Sequence, residues 1–117
     1  MLRQVLRSKI QNAVITEAML EYEGSITLDG NLVEAADLLP GEMVLVVNLN
    51  NGERFETYVI VGEPGSGTVC LNGPAARKGY VGDRIHILAF GWAVDEEAAE
   101  VQPRLVALER GNLLPED

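Results

Sequence analysis

A chain of 117 residues, 47% hydrophobic and 23% charged, holds enough apolar material for one folded unit, residues 1 to 117, and too little for two. Its formal net charge of −9 excludes a nucleic-acid surface built on clustered Lys and Arg, and apolar runs such as Met43 to Val47 are far too short for a membrane span. The single cysteine, Cys70, has no internal disulfide partner, and its setting between Val69 and Leu71 points to a buried, inert thiol.

Met1-Leu2-Arg3-Gln4 lacks the continuous apolar stretch of a secretory signal, so cytoplasmic residence is expected. Residues 2 to 15 carry Val5, Ile10, Val14 and Ile15 in strand-like context and predict an opening strand or pair of strands. Arg3 and Arg7 fit a solvated basic strand there. Tyr22-Glu23-Gly24-Ser25-Ile26 reads as a strand interrupted by a turn. Leu32, Ala35, Ala36 and Leu39 fall at helical spacing, with Asn31 as cap and Pro40-Gly41 as stop, which predicts one short helix.

Met43 to Leu49 and Arg54 to Val61 are β-rich runs joined by Asn50-Asn51-Gly52, whose Asn-Gly pair supplies positive backbone dihedrals for a tight hairpin. Gly62-Glu63-Pro64-Gly65-Ser66-Gly67 reads as a flexible hairpin turn, because no Lys follows in phosphate-loop position. Further strands fit Thr68 to Leu71, Arg84 to Ala93 and Arg104 to Leu108, with turns at Asn72-Gly73-Pro74 and Gly82-Asp83. Asp95 to Ala99 reads as a helical turn whose acids lie at its amino end, where the helix dipole favours them. The sum is an all-β protein, a small barrel with one or two short helices.

The usual catalytic groupings are missing. His86 is the only histidine, alternating with Ile85 and Ile87 in a strand, so a Ser-His-Asp triad has little material and a multi-histidine metal site has none, and a packed or surface histidine is expected. No metal is expected. Glu21 and Glu23 alternate on a strand and are most simply solvated. An enzyme made from this chain needs an electrophile that ordinary side chains do not supply, which directs attention to Gly24-Ser25.

A Gly-Ser pair alone is a common turn. Taken in order, however, Ser8-Lys9-Ile10, Tyr22 to Thr27, Asn51-Gly52-Glu53-Arg54-Phe55-Glu56-Thr57-Tyr58 and Asn72-Gly73-Pro74-Ala75-Ala76 resemble the motifs of the bacterial aspartate 1-decarboxylases. Val81-Gly82-Asp83 and the Pro103 segment are similar too, so the resemblance spans nearly the whole chain. It implies a double-psi β barrel assembled as a homotetramer, with active sites at subunit boundaries. It also implies conversion of L-aspartate to β-alanine and carbon dioxide, a step toward pantothenate and coenzyme A.

The implied cofactor is a covalent pyruvoyl group at Ser25, made by cleaving the chain into residues 1 to 24 and 25 to 117. The expected route is that the Ser25 hydroxyl attacks the Gly24 carbonyl, β-elimination then breaks the chain, and hydrolysis leaves a ketone. Gly24 is expected to help because the missing Cβ permits a strained backbone and close approach. The resemblance gives Thr57 the task of hydrogen-bonding the Gly24 carbonyl. The resemblance implies that this ketone would form an imine with aspartate and act as the electron sink on decarboxylation, and it assigns reprotonation to Tyr58.

Lys9 and Arg54 are the candidate cations for the substrate carboxylates, Arg54 offering a planar fork and Lys9 a point charge. Thr57, Asn72, Gly73, Pro74 and Ala75 are implied as the remaining substrate wall. Arg54 and Tyr58 share strand parity whereas Thr57 does not, so a bulge or a site combining faces of adjacent subunits is expected. Gln11 stands where many relatives carry histidine and Pro74 where they carry alanine, removing a titratable group and a backbone donor. The resemblance does not specify an accessory maturation factor. Two alternatives stay open at this point: a pyruvoyl decarboxylase for another amino acid such as glutamate, and a non-enzymatic β-barrel binding module.

Overall fold

The computed structural model describes residues 1–116. In chain order the elements are β1 (Leu2–Val14), β2 (Glu17–Met19), β3 (Ser25–Asp29), α1 (Gly30–Ala35), β4 (Met43–Asn48), β5 (Arg54–Gly62), β6 (Val69–Asn72), a 3-10 helix (Gly73–Arg77), β7 (Arg84–Val94), α2 (Asp95–Ala98) and β8 (Arg104–Ala107). The eight strands form one mixed sheet in the order β2-β6-β3-β5-β4-β7-β1-β8.

That sheet curls into a barrel because β1 and β2 are consecutive pieces of one segment. β1 pairs antiparallel with β7, and after a short break β2 pairs in parallel with β6 at the opposite end of the strand order. Thr16, in the break, fastens the seam: its backbone N–H donates to the Val69 carbonyl at 2.8 Å and its hydroxyl accepts from the Val69 N–H at 2.9 Å. Parallel pairs β3–β5 and β2–β6 require crossing connections rather than a simple meander. The interior is filled by branched aliphatic side chains, among them Ile10, Ile26, Leu28, Val46, Ile85 and Ile87, each at most 1% exposed. In β4 and the first half of β7 alternation sends every second residue inward, which is why those runs of the sequence read correctly, whereas β6 is buried at every position. Among the described residues no helix is long and apolar enough to cross a membrane.

Several local expectations change. The helix is capped by Asp29 rather than Asn31, since the Asp29 carboxylate accepts from the Asn31 N–H at 2.8 Å. It ends at Ala35, before the predicted Leu39, because Asp37 turns into the left-handed region at φ 56°. Arg3 and Arg7 are not simply solvated: Arg3 pairs with Asp95 at 2.7 Å, and Arg7 pairs with Glu42 and donates to the Asp37 carbonyl at 3.0 Å.

The glycine-rich turn is not free either. Asp29 accepts from the Gly65 N–H at 3.0 Å and the Gly67 N–H at 2.8 Å, tying that turn to the start of α1. Burial raises the Asp29 pKa, but the backbone donors of Gly67, Asn31 and Gly65 outweigh it, and the carboxyl lies below its ordinary value. An unfolded chain therefore binds a proton here at a higher pH than the folded one. The stabilisation is complete above the ordinary carboxylate range and is lost as pH falls through the lowered folded value. Asp29→Ala is expected to lower stability by about 2–4 kcal/mol in denaturant unfolding near neutral pH, with the deficit shrinking in acid. A deficit that persists unchanged in strong acid would show that the carboxylate charge is not its source.

Candidate functional site

Ser25 opens β3 and is completely buried, at 0% exposed. Its cross-strand partner in the antiparallel β3–β6 pair is Asn72. The Asn72 Nδ2 group donates to Ser25 Oγ at 2.9 Å and to Thr27 Oγ1 at 2.9 Å, while Oδ1 accepts from Cys70 Sγ at 3.1 Å. The Ser25 hydroxyl in turn donates to the Glu23 carbonyl at 3.3 Å. Burial, reinforced by the Glu17 carboxylate, pushes the Cys70 thiol up, which fits an unreactive cysteine.

Beside this buried serine lies a cleft of about 350 Å³ lined by Gly24, Phe55, Glu56, Thr57, Tyr58, Pro74, Ala75 and Lys78. It exists because the β3–β5 pairing starts only at Ile26↔Val59, so the first half of β5 has a free edge facing Gly24 and the 3-10 helix. This resolves the parity conflict without a bulge. The β4–β5 register runs unbroken from Met43↔Tyr58 to Val47↔Arg54, so Thr57 and Tyr58 do project to opposite faces, and both border a cleft formed at the strand edge.

Gly73 is the glycine the geometry demands. It has φ +63°, and a Cβ there would sit 2.5 Å from the Tyr22 carbonyl oxygen and 2.8 Å from the Gly24 nitrogen. At Gly24, by contrast, φ is not in the left-handed region, and a Cβ would meet only Pro74 Cδ at 3.6 Å, an ordinary contact. The close approach expected at Gly24 therefore belongs to Gly73. Pro74 follows at the first turn of the 3-10 helix, where a missing N–H leaves no helical bond unmade.

The structure thus brings Gly24, Ser25, Thr57, Tyr58, Asn72, Gly73, Pro74 and Ala75 to one place. Lys9 and Arg54 lie elsewhere, on the outward face of the sheet. Lys9 faces Leu88, whose other neighbour is Leu45, and Arg54 lies in the row Arg54, Val47, His86. Along β5, Arg54 and Tyr58 lie four positions apart, roughly 14 Å between their Cα atoms. Gln11 lies beside the irregularity of β1 opposite His86, where Asn12 has φ 65° and donates its N–H to His86 Nδ1 at 3.2 Å. Burial first, then the Lys9 charge, lowers the His86 pKa.

Lys78 was not foreseen. It borders the cleft, paired with Glu53 at 3.2 Å, and its backbone carbonyl is held by Asn48 Nδ2 at 3.2 Å and Asn51 Nδ2 at 3.0 Å. The Asn-rich hairpin therefore fixes the far end of the 3-10 helix. The adjacent basic pair Arg77-Lys78, just after Asn72-Gly73-Pro74-Ala75, was the available signal.

A family model described as aspartate decarboxylase matches residues 1–114. The chain is 50% identical over 121 aligned positions to the aspartate 1-decarboxylase of Listeria monocytogenes (serovar 1/2a), covering 100% of this chain and 95% of that one. It is 51% identical over 112 positions to that of Thermoanaerobacter pseudethanolicus, covering 96% of each. With that of Desulfitobacterium hafniense it shares 53% over 112 positions, 96% of this chain and 88% of the relative.

The contrast between the two glycines is directly testable. Gly73→Ala combines a backbone clash with a left-handed φ and is expected to cost more than about 3 kcal/mol in urea unfolding, while Gly24→Ala costs less than about 1 kcal/mol. Equal costs would return the close approach to Gly24.

Proposed function

This chain belongs to the aspartate decarboxylase family, and from that premise we propose that it is a self-cleaving enzyme whose pyruvoyl group derives from Ser25. It removes the α-carboxylate of L-aspartate, giving β-alanine and carbon dioxide. The observation that carries the site assignment is the buried Ser25 Oγ held by Asn72 beside a cleft bordered by Gly24, Thr57 and Tyr58.

The residues present fit the group. Cleavage between Gly24 and Ser25 would leave it at the first position of β3, a buried position beside the cleft, with the Asn72 amide against it and Gly73 giving the Tyr22–Gly24 backbone room to pass. When formed, it supplies a carbonyl that accepts the electron pair released on decarboxylation. Thr57, at the cleft wall beside Gly24, serves self-processing by hydrogen-bonding the Gly24 carbonyl. Tyr58 delivers the proton from the cleft edge, and Pro74 and Ala75 close the opposite wall.

Lys9 and Arg54 bind the substrate carboxylates from a neighbouring copy in a homotetramer. Two features support this. Both cations lie on the outward face, away from their own cleft, and that face is unusually apolar for a free surface: Met43 is 61% exposed and Trp92 67% exposed, with Phe90 between the same rows. A sheet apolar on both faces needs cover on both. A net charge of −9 repels a substrate that carries two carboxylates and a net negative charge, so contributed cations matter. We place the reaction in the cytoplasm.

Tyr58→Phe separates the roles, since it removes the phenolic proton while keeping the ring. Self-cleavage is expected to persist while β-alanine formation falls by on the order of 100-fold to 10,000-fold. Near-normal β-alanine production would eliminate Tyr58 as the acid, and an uncleaved variant would move its role to maturation. Arg54→Lys keeps the charge but loses the fork, so kcat/KM for aspartate should fall strongly with cleavage retained; unchanged kinetics would make Arg54 a plain surface charge.

A further inference from the structure

The side chain of Asn72 has two possible amide orientations, and its neighbours select one. The Ser25 hydroxyl spends its hydrogen on the Glu23 carbonyl, so Ser25 Oγ presents only lone pairs toward Asn72 and requires a donor. Cys70, whose thiol stays protonated in its buried setting, offers an S–H to the other end of the amide and so favours Oδ1 there. Thr27 Oγ1, 2.9 Å away, accepts the second N–H and anchors the Nδ2 end. Every atom of the amide is thereby satisfied, and no buried side-chain N or O among the described residues lacks a partner.

The geometry points to Thr27 and Cys70 as positioning residues for self-processing, which hold Asn72 so that its N–H is aimed at Ser25 Oγ and assists the elimination step. This rests on the Ser25 cleavage proposed above. In that sequence Ser25 Oγ first bonds to the Gly24 carbonyl carbon as the Ser25 nitrogen departs, and the hydroxyl proton passes to the nitrogen, giving an ester and a free amine. Next the Ser25 Cα–H proton is removed, its electron pair forms a Cα–Cβ double bond, and the Cβ–Oγ bond breaks. Ser25 Oγ thus leaves as a carboxylate oxygen of the Gly24 fragment. Water then replaces the nitrogen, which is released as ammonia, and no oxidant or reductant is consumed. Negative charge grows on Oγ only in the elimination, and a fixed donor 2.9 Å from that atom is placed to stabilise it.

The test follows self-cleavage of freshly made full chain by mass spectrometry, with hydroxylamine added to open any ester. Opening the ester yields fragment 25–117 beginning with an ordinary serine, whereas completed elimination yields one lacking an amine. Cys70→Ala and Thr27→Val are each expected to slow elimination by about threefold to tenfold and to accumulate the ester, the size expected for one lost hydrogen bond. Cys70→Ser restores a donor and should cleave close to the parental rate. Asn72→Asp, which presents only oxygens, should stall most strongly at the ester. Melting curves on the same samples separate loss of folding from loss of positioning. The inference is overturned if Asn72→Asp eliminates as fast as the parent, if Cys70→Ser is as slow as a folded Cys70→Ala, or if the variants stall before any hydroxylamine-sensitive species forms. A parental chain that never cleaves would overturn the Ser25 reading itself.

Discussion

The pairing of Ser25 with Asn72 across β3 and β6 is the constraint from which the site follows. It buries the serine at the first position of its strand and sets an amide against its oxygen. The chain must then turn away immediately after Asn72, and it does so through Gly73, whose backbone passes so close to Tyr22–Gly24 that no side chain fits. From that turn springs the 3-10 helix that walls the cleft with Pro74 and Ala75. The opposite wall exists because β3 begins only at Ser25, leaving the early part of β5 without a partner on that side.

Barrel closure supports the same point. The β1–β2 segment links one end of the sheet, at β2, to the strand next to the other end, and the Thr16–Val69 seam lies on the strand that continues to Asn72. The energetic logic is that of burial: an interior of branched aliphatic residues fixes the register, and a slip of one residue would turn Ser25 away from Asn72 along with every core side chain. What the barrel does not do is bring Lys9 and Arg54 to their own cleft. The outward face that carries them also carries the exposed apolar side chains of Met43 and Trp92.

Much of this was legible in the residues. The alternation in Met43 to Leu49, Arg54 to Val61 and Arg84 to Ala93 located strands to within a residue or two, because period-two patterning reports directly on which side faces the core. The ordered motifs around Ser25, Thr57, Tyr58 and Asn72 named residues that the fold gathers at one cleft. The missed features depend on contacts between distant positions. Asp29 clasps Gly65 and Gly67, 36 and 38 residues away, and nothing local marks it as more than a strand-end acid. Lys78 reaches the cleft only because Asn48 and Asn51 hold its backbone. The exchange of roles between Gly24 and Gly73 has the same origin, since close approach is a property of two segments and is invisible in either one.

The most direct measurement is the intact mass of the purified, aspartate-decarboxylating protein. The account predicts two pieces, residues 1 to 24 and residues 25 to 117, with no free α-amino group on the larger. Recovery of only the full-length chain from an active preparation would contradict it.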